Sequence, residues 1–301
     1  MMMDDVLDID DLSMEDVERV YSKTTELKRE PERFENALAN RTLLMLFEKP
    51  STRTRISFEA GMTRLGGHAI NFTMEQSQMS RGESLRDTAR VIGRYCDAVM
   101  ARLYEHQKLL DIAENTDVPV INGLTDLLHP CQALGDLYTM QEHGIDLEDA
   151  RVVFVGDGNN VCHSLMQATT LMDGSFAAAT PEGYEPDERI VERSREKGQV
   201  DLYNDPVKAV EEADVVYTDV WVSMGDEDED ERREAFPPFQ VNEELLSHAP
   251  DHVKAMHCLP AHRGEEITDA VMEGKHSIIF DQAENRMHVQ NGVLLDLLTD
   301  L

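Results

Sequence analysis

Thr42-Leu43-Leu44-Met45-Leu46-Phe47-Glu48-Lys49-Pro50-Ser51-Thr52-Arg53-Thr54-Arg55 is an apolar run that breaks at a proline and passes into a polar pentapeptide able to start a helix. A continuous apolar run bounded by turn residues reads as a strand buried on both faces, the habit of parallel sheets. Residues 51–65 carry helical spacing and stop just before Gly66-Gly67. A strand that feeds straight into a helix is half of a parallel crossover.

Working outward, the same alternation fills the chain. Strands are predicted at residues 69–72, 98–102 and 119–121, with helices at 83–95, 105–114 and from 130 to about 144. Residues 144–150 read as a hinge. Beyond it, strands are predicted at 151–155, 175–179, 215–219, 253–256 and 277–280, and helices at 161–171, 187–197, 207–212 and 264–273. A final apolar-faced helix spans 285–301. The predicted fold class is α/β with two domains, each a mostly parallel sheet flanked by helices on both faces, the second Rossmann-like. The domains are residues 1–144, completed by the C-terminal helix 285–301, and residues 145–284. The length of 301 residues suits two such units.

The chain carries 60 acidic residues against 28 Lys and Arg, a net charge of −32. Nucleic acid and anionic membranes are excluded as partners by repulsion. A hydrophobic content of 41% is enough to build cores, so the charge does not imply disorder. Lys is scarce, 8 against 20 Arg. An acidic, Lys-poor surface points to a cytosol of very high salt, where screening removes the self-repulsion. No 18-residue apolar run and no leader-like segment is present, so a cytoplasmic protein is expected. Cys96, Cys131, Cys162 and Cys258 form no C-x-x-C pair, which argues against a disulfide framework or a zinc knuckle. Residues 226–231 are six consecutive acids and read as a solvated surface loop.

Four segments carry chemistry, each at a strand end or helix start, where ligands of parallel sheets gather. The first is Ser51–Arg55, two guanidiniums and three hydroxyls at a helix N-terminus, a ready site for a phosphate. The second is His129-Pro130-Cys131-Gln132, an imidazole and an amide at another helix start. In the third, Asp219-Val220-Trp221-Val222-Ser223-Met224-Gly225, an Asp closing an apolar strand suits an amine, and the small residues suit a closing loop. The fourth is His257-Cys258-Leu259-Pro260, after the strand at 253–256. A fifth segment, Val155-Gly156-Asp157-Gly158-Asn159-Asn160-Val161, only partly matches a dinucleotide fingerprint, because Val161 stands where the third glycine belongs.

Taken with Phe47-Glu48-Lys49-Pro50, the four segments resemble the ornithine carbamoyltransferases, in order and at family spacing from Asp10-Asp11-Leu12 to the last helix. The S-T-R-T-R element alone indicates only the wider carbamoyltransferase superfamily; Ser223-Met224-Gly225 and His257–Pro260 narrow it to the ornithine branch. The resemblance implies transfer of the carbamoyl group of carbamoyl phosphate to the δ-amine of L-ornithine, giving L-citrulline and phosphate. That reaction serves arginine biosynthesis or the arginine deiminase pathway.

By the same resemblance, Ser51, Thr52, Arg53, Thr54, Gln78, Arg102, His129, Gln132 and Arg286 would hold carbamoyl phosphate, with Cys258 and Leu259 between the two substrates. Asn160, Asp219, Ser223 and Met224 would hold ornithine. Cys258, Asp219, Arg102 and His129 would carry catalysis, the Cys258 thiolate being favoured by nearby guanidiniums. The family implies a cleft site, trimers or multiples of trimers, and no metal, nicotinamide or flavin cofactor. Aspartate as acceptor would want a cationic partner that these loops do not offer. Putrescine and N-acetylornithine are the nearer alternatives.

Overall fold

The computed structural model describes residues 3–76, 82–222 and 229–300. The chain divides into two compact units, Met1–Gly135 with Arg286–Leu301, and Asp136–Asn285.

The first unit opens with α1 (Met14–Arg29), closed at its start by a capping box between Ser13 and Asp16. Then follow β1 (Thr42–Phe47), α2 (Thr52–Arg64), β2 (His68–Thr73), α3 (Leu85–Ile92), β3 (Ala98–Arg102), α4 (His106–Ala113), β4 (Val120–Leu124) and the start of α5 (Pro130–Glu142). The strands form a parallel sheet in the order β2-β1-β3-β4. Its central strands β1 and β3 are buried almost throughout, which is why they read as unbroken apolar runs. Phe47 stands in register with Arg102, so the two strands deliver their next residues to the same sheet edge. Leu46, Val99, Ala101, Leu103, Leu109 and Ile112 make the core on one side.

The second unit runs through β5 (Arg151–Val155), α6 (Asn160–Leu171), β6 (Ser175–Ala179), α7 (Glu188–Lys197), β7 (Val200–Tyr203), α8 (Pro206–Val210), β8 (Val215–Thr218), α9 (Glu229–Ala235), α10 (Glu243–Leu246), β9 (Lys254–His257) and α11 (Asp269–Met272). The parallel order is β7-β6-β5-β8-β9. Chain order reverses at β5 and β8, and the loops after those two strands meet at the switch point where α/β sheets gather ligands. The last helix, α12 (Ile279–Leu298), passes from the second unit into the first. Among the described residues, no helix is long and apolar enough to cross a membrane.

Three expectations are corrected. Residues 277–280 are not a strand. Ser277 makes one isolated bridge to Ala255, and Ile279 and Phe280 begin α12, an apolar run too short for its period to decide between strand and helix. The helix expected over 264–273 shrinks to the single turn α11, started by Thr268, whose hydroxyl accepts from the Val271 N–H. The acids at 229–231 form the first turn of α9, where negative charge complements the helix dipole; residues 226–228 lie outside the described residues.

Candidate active site

In the first unit, three elements deliver polar side chains to one buried oxygen. Ser51 caps α2, its hydroxyl accepting from the Thr54 N–H at 3.3 Å and lying 3.0 Å from Thr54 Oγ1. Arg102, the last residue of β3, donates Nη1–H to Thr54 Oγ1 at 3.3 Å. Arg286, on α12, donates from Nη2 to the same oxygen. Thr54 is fully buried, and Arg102 and Arg286 are nearly so. Two guanidiniums on one hydroxyl beside a helix N-terminus concentrate positive charge and N–H donors of the kind that suits an anion.

His129 stands immediately before α5, and its carbonyl accepts the Gln132 N–H at 3.1 Å; both side chains are buried. Burial, and then the charges of Arg286 and Arg102, hold the His129 imidazole well below its usual 6.5, so it is neutral and can donate an N–H to an oxygen. Gly135 gives α12 room here, since a Cβ would lie 3.3 Å from the Arg286 Cα. Thr52 and Arg53 face solvent at the helix start. Gln78 lies outside the described residues. Burial pushes the Cys131 thiol up to about 12, which marks it as an inert packing residue.

The lowered imidazole has a consequence for stability. Below pH 6.5 the unfolded chain takes up a proton at His129 that the folded chain refuses, so this residue's contribution is lost as pH falls. The loss is at most about 1.4 kcal/mol per pH unit for one proton. His129→Gln is therefore expected to lose less of its unfolding midpoint than the parent between pH 7.5 and 5.5, measured by thermal melts. Equal losses would contradict the lowered value.

In the second unit, Asp219 follows β8, buried, and is held from both sides. Asn159 Nδ2 donates to Asp219 Oδ2 at 2.9 Å, and Cys258 Sγ donates to Asp219 Oδ1 at 2.9 Å. Asn159 also caps α6, its Oδ1 accepting the N–H groups of Val161 and Cys162, so one side chain fixes both the helix start and the carboxylate. Asn160, the residue singled out from the sequence, is the first residue of α6 and half-buried. Gly158 lets this turn run against the chain at Glu185 and Pro186; a Cβ there would lie 2.3 Å from Pro186 N. Cys258 is thereby tied to the carboxylate that closes β8.

The loop after β9 is built on His257. Its Nδ1 accepts the Leu259 N–H at 2.9 Å, which assigns the proton to Nε2 and makes that atom the donor to buried Glu266, 3.0 Å away. Leu259 holds a left-handed φ of 59°, a conformation costing roughly 1–2 kcal/mol outside glycine, and this hydrogen bond helps retain it. Leu259-Pro260 is a cis peptide. Sequence reading missed Asn159 and Glu266; Glu266 gives no local signal, because only the fold returns it to His257. The ligand atoms of Asp219, His257 and Cys258 lie within 4.8 Å of one another, yet both nitrogens of His257 are engaged, which disfavours a metal. Ser223 and Met224 lie outside the described residues.

Residues 4–142 match the carbamoyl-P binding domain of the aspartate/ornithine carbamoyltransferases, and residues 148–297 match their Asp/Orn binding domain. The catabolic ornithine carbamoyltransferase of Halobacterium salinarum is 52% identical over 297 residues, 98% of this chain and 99% of the relative. The anabolic ornithine carbamoyltransferase of Pyrococcus furiosus is 54% identical over 263 residues, 85% of this chain and 84% of the relative. The solved structure of ornithine carbamoyltransferase from Pyrococcus furiosus superposes with a TM-score of 0.95 at 48% identity, covering 100% of this chain and 98% of that one.

Proposed function

Since this chain belongs to the aspartate/ornithine carbamoyltransferase family, we propose that it transfers the carbamoyl group of carbamoyl phosphate to the δ-amine of L-ornithine, releasing L-citrulline and phosphate. One observation carries the choice of acceptor: the group presented after β8 is a carboxylate, Asp219, clamped by an amide and a thiol. An aliphatic amine is held and oriented by such a group, whereas the second carboxylate of aspartate would meet like charge there.

In this reading the donors at Thr54 take the phosphate, with Ser51, Thr52, Arg53, Gln78 and Arg286 around it, while Arg102, His129 and Gln132 face the carbamoyl group. Asp219 orients the neutral δ-amine, whose lone pair forms a bond to the carbamoyl carbon. The negative charge that develops on the carbonyl oxygen is met by donors from Arg102, His129 and Thr54, already directed and already desolvated. The carbon–oxygen bond to phosphate then breaks. Phosphate leaves with the electron pair and accepts the proton the amine gives up, so no separate general base is required. Asn160, Ser223 and Met224 complete the grip on ornithine, and Cys258 and Leu259 line the path between the substrates.

The enzyme is proposed to act in the cytoplasm of a high-salt cell, as a homotrimer or a multiple of it. The net charge of −32 and the likeness to the Halobacterium protein support the first point. Exposed apolar side chains on the first unit, Ile56, Ile70, Val91 and Tyr95, support the second, since a partner would cover them.

Citrulline formation from carbamoyl phosphate decides the reading, with ornithine run beside putrescine, N-acetylornithine and aspartate in dilute buffer and in multimolar KCl. Turnover with ornithine alone, higher in KCl, is the expected result. Turnover with another acceptor would reassign Asp219. Full activity and stability in dilute buffer would remove the high-salt assignment.

A further inference from the structure

Arg232, on α9, comes straight after the run of six acids, and its guanidinium is engaged elsewhere in the second unit. Its Nη1 donates to the Trp221 carbonyl at 2.9 Å and lies 3.0 Å from Asp157 Oδ2. The plane lies over Tyr184, 4.9 Å from its centroid, and 5.8 Å from that of Phe236. Phe236 packs in turn on the Tyr184 and Trp221 rings. The Arg232 and Asp157 side chains are only 13% and 14% exposed, so this pair is screened far less than the surface pairs of the chain.

The position of this clasp gives it a purpose. Asp157 lies in the turn after β5, two residues before Asn159, and Trp221 lies two residues after Asp219. The turn and the strand end are therefore joined twice: once directly, by Asn159 to Asp219, and once through Arg232. Asn159 and Cys258 hold the Asp219 end of this segment and Arg232 holds its Trp221 end, so both ends of residues 219–221 are fixed. The geometry points to Arg232 as a positioning residue for the amine acceptor, acting through Trp221 and Asp157 on the carboxylate of Asp219. This rests on the carbamoyl-transfer reading, since it assumes that Asp219 meets the amine. Arg suits the task where Lys would not, because its planar fork can satisfy a carbonyl and a carboxylate while its face stacks on rings.

The test uses Arg232→Met, which keeps the stem and removes the fork, and Arg232→Lys, which keeps the charge. Arg232→Met is expected to raise KM for ornithine about tenfold or more, with KM for carbamoyl phosphate within about twofold. Arg232→Lys should recover only part of that loss. Trp221 is the sole tryptophan, so its fluorescence reports the clasp without any turnover. Its emission should move to the red and become more open to acrylamide quenching in Arg232→Met. Titrating ornithine in the presence of phosphate and following this emission gives its affinity directly.

Unchanged ornithine KM with unchanged emission would overturn the assignment, and so would equal rises in both Michaelis constants, the mark of a general loosening. If the parent forms no citrulline with any acceptor, the carbamoyl-transfer reading fails, while the ornithine titration and the Trp221 emission still decide whether Arg232 shapes the Asp219 segment. Should Arg232→Met not fold, Asp157→Asn weakens the same pair with less change of volume and carries the same expected direction.

Discussion

Arg102→Met is expected to lower kcat/KM for carbamoyl phosphate by about three to four orders of magnitude, roughly 4–5.5 kcal/mol at 1.36 kcal/mol per tenfold. The side chain ends β3 almost fully buried and shares Thr54 Oγ1 with Arg286. In the proposed reaction it acts twice, first on the bound anion and then on the oxyanion. Breaking a desolvated charge-assisted contact costs about 2–5 kcal/mol, and losing one oxyanion donor about 2.7–4 kcal/mol. These effects overlap in one residue and do not add in full.

The binding share can be isolated from turnover. Carbamoyl phosphate or inorganic phosphate at about 100 times its Kd should stabilise the parent by about 2.7 kcal/mol, and that thermal shift should be nearly absent from Arg102→Met. A variant that keeps kcat/KM within tenfold of the parent would remove Arg102 from the anion site. Thr54→Val offers a graded comparison: the guanidiniums remain but lose the hydroxyl that aligns them, so a smaller loss is expected.

How far the sequence shows this architecture depends on how local each signal is. β1, β3 and β5 are central strands buried on both faces, and their apolar runs announce them. β7 is an edge strand of four residues with Leu202 40% exposed, so neither run length nor composition marks it. α1 is hard to see in the sequence although Ser13 and Asp16 spell a capping box and Val17, Val20, Tyr21, Thr24 and Leu27 repeat at helical spacing. Its many charged residues hide that stripe when hydropathy alone is read.

The candidate site follows the same division. Ser51, Arg102, His129 and Asp219 sit at strand ends or helix starts, where parallel-sheet topology gathers function, so position in the chain already singles them out. Asn159 stands one residue before Asn160, the position the sequence singles out: a strand-turn-helix pattern locates the helix start but does not say which of two adjacent asparagines is the cap. Glu266 and Arg232 are invisible locally. Glu266 meets His257 only because the chain folds back after the cis peptide at Leu259-Pro260, and Arg232 meets Asp157 from 75 positions away along the sequence. Side-chain pairs fixed by tertiary placement carry no periodicity to read.

Asp219→Asn should reduce kcat/KM for ornithine by about a thousandfold, close to 4 kcal/mol, while KM for carbamoyl phosphate stays near that of the parent. The change is isosteric, so packing around β8 survives, but the charge that would orient an amine is gone. It also disturbs two contacts at once. An amide can place its oxygen toward Asn159 Nδ2 or toward Cys258 Sγ, not both: toward Cys258 it sets donor against donor at Asn159, and toward Asn159 it leaves the thiol only a weak N–H···S contact. A buried donor left without an acceptor costs about 1–3 kcal/mol, so the unfolding midpoint should fall as well. The two consequences separate on comparison with Asn159→Ala. That variant removes one clamp and the α6 cap, costing about 0.5–2 kcal/mol of stability, yet leaves the carboxylate charge in place. If activity follows stability across both variants, Asp219 is a structural group. If Asp219→Asn loses far more ornithine turnover than Asn159→Ala at comparable stability, the carboxylate acts on the acceptor itself.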